Sequence, residues 1–171
     1  NVFDKFAELG ASPNAFTSYT NTSYLFSATS YFKENLKLLL EFVETPYFTE
    51  ESVEKEKGII TQELKMYEDE PEWQVLNNLL KCLYHQHPVR IDIGGTVESI
   101  QKITVETLYK CYNTFYHPSN MILFVIGCIE PEEVFELVET MQNSKGQIPQ
   151  GDIKRIYPEE PATIFNSIHR V

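Results

Sequence analysis

The chain has 171 residues, 42% of them hydrophobic and 13% aromatic, which is enough apolar material for one domain, or most of one, with a real core. That composition argues against intrinsic disorder, which needs few aromatic and branched residues. With 25 acidic and 14 basic residues the formal net charge is −11, a balance that argues against nucleic-acid binding, where a basic patch must meet the phosphates.

Residues 2–9, VFDKFAEL, read as the end of a helix, and Gly10 is suited to close it because glycine accepts the left-handed conformation. Asn1 falls inside that helical pattern, so the N-terminus reads as cut, with any targeting segment upstream. Two strand-like runs follow, Ala15–Tyr19 and Ser23–Ala28, joined by a turn at Thr20-Asn21-Thr22; Tyr24, Phe26 and Ala28 alternate onto one face. Ser30 is the candidate N-cap of a helix over 31–44, where Phe32, Leu36, Leu39, Leu40 and Val43 recur at helical spacing until Pro46 breaks the pattern. Thr49 is the candidate N-cap of the next helix, which runs to Tyr67 with Glu50 and Glu51 complementing its dipole.

Pro71 opens a further helix with Trp73, Leu76, Leu80 and Leu83 on one stripe, and residues 86–98 read as loop, punctuated by Pro88, Gly94 and Gly95. Thr104 caps a helix over 105–115 that ends at His117-Pro118. Met121–Ile126 is a continuous apolar run, the pattern of a central strand buried on both faces. Pro131 sits at the first position of a helix that reaches Gln142. Residues 143–161 read as linker, and Ala162–Ile168 as the start of a strand in something that continues past Val171. Segregated helices with a strand hairpin predict an α+β fold, an antiparallel sheet with helices packed on one face, rather than a doubly wound parallel sheet.

Most of the chemistry lies in EKEKGIITQELKMYEDEP, which begins at Glu54. On a helix, Val53, Ile60, Leu64 and Tyr67 share a face, and Glu56 and Glu63 point only about 20° apart at its edge, because seven residues nearly complete two turns. Acids beside a core face are costly unless paired or bound to metal. From the residues alone two accounts stand: both acids snorkel to water or meet lysines, or one is a metal ligand with the other supporting it.

The same segment resembles the one that supplies the third zinc ligand in the inverted-motif zinc peptidases, the insulinase, pitrilysin and mitochondrial processing peptidase type, whose other two ligands are the histidines of an HxxEH helix. GASPNAFTSYTNTSYLF at 10–26, HPVRIDIGGTVESIQKIT from His87 and FYHPSNMILFVIG from Phe115 resemble three further stretches of that family, in the same order, over about residues 1–145. The nearest flavour is that of its small bacterial peptidases. The resemblance implies that Glu63 is the zinc ligand and Glu56 a supporting acid. It implies that Asn14, Ala15, Phe16 and Thr17 form the sheet edge against which an extended peptide pairs.

HxxEH itself does not occur. The histidines are His85, His87, His117 and His169, none at that spacing, and in the family the motif would lie upstream of Asn1. Residues 1–145 therefore read as a partial peptidase domain lacking that helix, and 146–171 as a linker and the start of the next domain. Zinc is expected in the full-length parent but not stoichiometrically in this fragment, which is expected to be inactive alone. The parent is expected to be a zinc metalloendopeptidase acting on extended peptides or small proteins, with a second peptidase half or partner subunit of the same family and with neither nucleic acid nor membrane as partner. The alternative is a non-catalytic family member that positions substrate for an active partner.

Other clusters point elsewhere. Cys82-x-x-His85-x-His87 lacks the paired four-ligand spacing of a structural zinc site, and Cys111 with His117 says nothing of thiol-protease geometry. Cys82, Cys111 and Cys128 are odd in number and hold no CxxC pair, which fits a reducing compartment and the cytoplasm rather than a disulfide framework. Asn21-Thr22-Ser23 matches a glycosylation sequon, without meaning unless the protein is secreted.

Overall fold

A computed structural model describes residues 2–143, 153 and 156–161. Among them are seven α-helices and one two-stranded antiparallel sheet, so the α+β expectation holds. The strand expected at Ala162–Ile168 and most of the linker lie outside the described residues. The chain divides into two compact units, Asn1–Tyr47 with Tyr109–Ile153 and Phe48–Leu108 with Lys154–Val171.

In the first unit, α1 (Val2–Glu8) is closed by Gly10 at φ 67°, a left-handed geometry that costs a side-chain-bearing residue about 1–2 kcal/mol. The chain then enters β1, which spans Ala11–Thr17 rather than Ala15–Tyr19. Pro13 disguised its first half: a proline cannot donate to a ladder, so it weakens a strand pattern, yet an edge strand tolerates it. β2 (Thr22–Ala28) pairs antiparallel with β1, Ala11 opposite Ala28, Ala15 opposite Tyr24 and Thr17 opposite Thr22. The turn between them is bonded by Ser18, whose backbone N–H donates to Asn21 O (2.8 Å) and whose hydroxyl donates to Asn21 Oδ1 (2.6 Å).

The expected alternation along β2 is realised by aromatic contacts. Phe26 stacks on Phe6 of α1 at 5.8 Å and meets Phe32 at 6.3 Å, while Tyr24 meets Phe42 edge-on at 6.0 Å. α2 spans Phe32–Glu44, so Phe32 and Phe42 put it on the same face. Its N-cap is Tyr31 in the left-handed region (φ 51°) with no side-chain cap, not Ser30. Asn35 explains how that strained corner holds: fully buried, its amide donates to the carbonyls of Tyr31 (2.9 Å), Leu9 (3.3 Å) and Ser30 (3.4 Å). One side chain thus satisfies the carbonyls left by α1 and by the β2–α2 bend.

The helix α6 spans Val105–Phe115 and α7 spans Pro131–Asn143. Tyr112 and Tyr116 stack at 4.7 Å; Tyr112 donates to Val43 O (2.9 Å), and the Tyr116 and Tyr24 hydroxyls share a 2.6 Å hydrogen bond. On α7, Met141 is buried and the Gln142 amide donates to Glu44 of α2. Met121–Ile126 departs from expectation. It joins no ladder among the described residues, and Ile122, Phe124 and Ile126 are 94%, 82% and 87% exposed. A buried strand needs a neighbour on each edge and a layer on each face, and the sequence pattern reports only the strand's own share.

In the second unit, α3 (Glu50–Glu68) begins with a reciprocal cap in which the Ser52 N–H donates to Thr49 Oγ1 and the Thr49 N–H to Ser52 Oγ, both 3.1 Å. Residues 86–98 are not wholly loop: α5 (Val97–Gln101) starts there on the same device, Thr96 with Ser99. The face of α3 read as Val53, Ile60, Leu64 and Tyr67 is interrupted by Lys57, which is buried. Its ammonium donates to Glu54 (2.6 Å) and to Gln101 O at the end of α5 (3.4 Å), where a cation also complements the helix dipole.

α4 (Pro71–Leu83) is rotated from its expected stripe: Asn77 is buried and Trp73 half-buried, whereas Leu76 and Leu83 are exposed. Among the described residues no helix is long and apolar enough to cross a membrane. Because Thr49 caps the helix carrying both singled-out glutamates, Thr49→Ala should destabilise the protein by about 1 kcal/mol. A denaturant titration followed by circular dichroism should show the midpoint fall with an unchanged slope.

Candidate metal-ligand helix and peptide edge

Glu56 and Glu63 both lie on α3 and both are exposed. Among the described residues neither is in an ion pair with lysine or arginine. The two acids differ in their surroundings. Glu63 Oε1 accepts a hydrogen bond from the Tyr67 hydroxyl at 3.2 Å, one helical turn on. The acceptance of that proton by Glu63 holds the Tyr67 phenol above its ordinary pKa. Among the described residues no hydrogen bond reaches the Glu56 side chain.

Tyr67 is itself held. Its ring stacks on Trp73 at 4.9 Å with 24° between planes. The Trp73 indole N–H donates to Asp92 Oδ2 (3.0 Å), which also accepts from the Asn77 amide (2.7 Å), while Asp92 Oδ1 accepts from the Gly94 N–H (2.9 Å). A Cβ at Gly94 would lie 2.8 Å from Leu64 Cδ2, so the end of that side chain, beside Glu63 on α3, would have to shift. The sequence pattern does not reveal Tyr67, Trp73, Asn77 and Asp92 as a group: Tyr67 and Trp73 fall on apolar helical stripes, and Asp92 lies in a stretch with the punctuation of a loop. The one available signal was the aspartate of an Asp-x-Gly-Gly turn, whose carboxylate returns to its own backbone.

The second candidate element is β1 itself. Among the described residues it pairs only with β2, so Asn14, Ala15, Phe16 and Thr17 have one unladdered side. Asn14 Oδ1 accepts from the Ala15 N–H at 2.8 Å, a self-made contact on exposed backbone, and Phe16 is 55% exposed.

Two of the histidines have structural occupations. His87 and His117 each precede a proline and cap a short 3-10 turn, Nδ1 accepting from Val89 N and Ser119 N respectively, both at 3.1 Å. The His87 ring also stacks on Tyr157 at 5.3 Å, and the His85, Gln86 and His87 backbone N–H groups converge on the Glu160 carboxylate. Among the described residues no three His, Cys, Asp or Glu side chains group to hold a metal. Of the donors a zinc site would need, the described part of α3 offers exposed carboxylates, Glu56 and Glu63 among them, and Glu63 is the one bonded to Tyr67.

Residues 1–97 match the insulinase family (Peptidase family M16), and residues 102–170 match the Peptidase M16 inactive domain. The chain belongs to the insulinase family of peptidases, family M16. It is 52% identical over 165 residues to the uncharacterized zinc protease YmfH of Bacillus subtilis, covering 96% of this chain and 39% of that protein. It is 25% identical over 165 residues to a protein of Arabidopsis thaliana named "Probable mitochondrial-processing peptidase subunit beta", covering 96% of this chain and 31% of that one. Among solved structures it resembles an M16-like peptidase from Alicyclobacillus acidocaldarius, with a TM-score of 0.89, 48% identity, and coverage of 94% of this chain and 38% of that chain. The chain thus spans about two-fifths of the length of these bacterial relatives.

Tyr24 lies opposite Ala15 in the hairpin. Burial first, and its hydrogen bond with Tyr116 second, push the phenol well above its ordinary value. The folded state therefore favours the neutral phenol, while the unfolded chain ionises near pH 10. The sign follows: this contribution is complete below about pH 10 and is lost as pH rises towards the folded value. Melting temperature measured from about pH 8 to 11 should fall at the alkaline end, and Tyr24→Phe should flatten that fall.

Proposed function

We propose that this chain is part of a zinc metalloendopeptidase that hydrolyses peptide bonds in extended peptides or small proteins. The observation that carries it is the exposed Glu63 carboxylate on α3, in no ion pair among the described residues and steadied at Oε1, in a chain of a peptidase family. Glu63 is an anionic zinc ligand, and Glu56 supports the site from the same face of the helix. The remaining ligands and the proton-accepting glutamate come from an HxxEH helix outside these residues. The bound metal supplies an activated water to the reaction. The unladdered side of Asn14–Thr17 holds substrate by backbone hydrogen bonds, which are nearly blind to sequence; a carbonyl arriving at Ala15 displaces the Asn14 side chain from that N–H.

Residues 1–145 belong to this peptidase domain, and the segment from 146 leads to the next. A second peptidase half or partner subunit encloses the substrate; among the relatives, one is named as a processing-peptidase subunit. Three cysteines without disulfides suit the cytoplasm. The match of 102–170 to a domain described as inactive favours a second reading, a non-catalytic member that positions substrate for an active partner.

In the full-length protein, Glu63→Gln should lose most bound zinc and the activity with it, since a carboxamide is a poor substitute for an anionic ligand. Glu56→Gln should cost about 10–100-fold in zinc affinity or activity. Both should keep the fold, because each side chain is exposed. Zinc content, peptide cleavage and circular dichroism check this. Full zinc and full activity in Glu63→Gln would remove Glu63 from the site, and zinc binding without cleavage in the wild type would favour the non-catalytic reading. The isolated chain of residues 1–171 should retain no stoichiometric zinc after dialysis and cleave no peptide.

A further inference from the structure

We propose that Tyr67 is a positioning residue for the Glu63 carboxylate, held in place by Trp73 and Asp92; the proposal rests on the ligand reading of Glu63. A tyrosine one turn from a glutamate on a bare helix surface contributes little, because both side chains rotate and such pairs stabilise by only about 0.2–0.5 kcal/mol. Here the phenol does not rotate freely. Its ring is stacked at 4.9 Å on Trp73, which belongs to α4 and not to the helix carrying Glu63. The indole is in turn fixed by the 3.0 Å bond from its N–H to Asp92. Asp92 cannot swing away, since the buried Asn77 holds the same oxygen at 2.7 Å and the Gly94 N–H holds the other at 2.9 Å.

The order of constraint therefore runs from a loop carboxylate, through an indole and a phenol, to the acid on α3. The last link is directional: the Tyr67 hydroxyl donates and Glu63 Oε1 accepts at 3.2 Å, while among the described residues no donor engages Oε2. One oxygen of the carboxylate is thus occupied by the protein and the other is left for a ligand. Fixing the glutamate beforehand removes rotamer entropy that metal binding otherwise has to overcome, and outer partners of this kind typically affect metal affinity by 10–100-fold. Glu56 has no comparable brace among the described residues, so the structure itself separates two acids that the sequence pattern makes equivalent.

The test uses the full-length protein and three readouts: zinc affinity by competition with a colorimetric chelator, the visible spectrum of the cobalt(II)-substituted protein, and the melting temperature of the metal-free protein. Tyr67→Phe keeps the stacked ring and removes only the hydroxyl. It should weaken zinc about tenfold, shift the cobalt bands and leave the metal-free melting temperature unchanged. Trp73→Phe should act in the same direction to a smaller extent. The double variant should be no worse than Tyr67→Phe, because Trp73 acts through the hydroxyl that is already gone. If Glu63→Gln loses zinc while Tyr67→Phe keeps wild-type affinity and spectrum, Tyr67 has no positioning role and Glu63 remains a ligand. If Glu63→Gln keeps its zinc, the ligand reading fails and the positioning role fails with it. A lower metal-free melting temperature in Tyr67→Phe with unchanged zinc affinity would make the contact structural and overturn the proposal.

Discussion

The Asp92 carboxylate gathers three donors, from Trp73, Asn77 and Gly94, and much of the second unit follows from that convergence. A half-buried carboxylate needs such partners, because an unsatisfied charge away from water is expensive. Two of the donors sit four residues apart on α4, so the helix must turn that polar face towards the loop. The consequence is visible on its other side, where Val75, Leu76, Leu79 and Leu83 are exposed. The same loop brings Gly94 against the Leu64 side chain, beside Glu63 on α3.

The first unit is built on a different economy. Its organising contacts are aromatic and apolar, Phe6 and Phe32 about Phe26 and the tyrosines about Tyr24. Its one buried polar residue of consequence, Asn35, collects carbonyls rather than charges. Helices therefore dock on one face of the hairpin through β2, and β1 keeps a side without ladder partners among the described residues. An edge that can accept another strand is a liability in an isolated domain and a recognition surface in a peptide-binding one.

The sequence was legible wherever local chemistry decides the outcome. Thr49 and Pro71 start their helices because caps and first-turn prolines act within a few residues, and the alternation of Tyr24 and Phe26 was readable because strand period is local. It failed where distant partners decide. Pro13 hid half of β1 because an edge position cannot be recognised without the sheet. Tyr31 took the cap position from Ser30 because Asn35 stabilises a corner that no propensity scale contains. α5 was lost in a loop because its Thr96–Ser99 box uses serine where glutamate is the commoner signal. Of the candidate site, the two glutamates were visible as a spacing, but their inequality was not, since it depends on Trp73 and Asp92 reaching back from later in the chain.

The exposed run Met121–Ile126 also has a bearing on how this polypeptide behaves in time. Six successive apolar residues without charge or proline, rich in branched and aromatic side chains, have the composition of segments that pair readily with copies of themselves. Capture by another part of the same molecule is a first-order event, indifferent to how much protein is present. Capture by a second molecule is second-order and accelerates with concentration. Dilution during refolding or slow synthesis therefore favours the first route, and crowded expression favours the second.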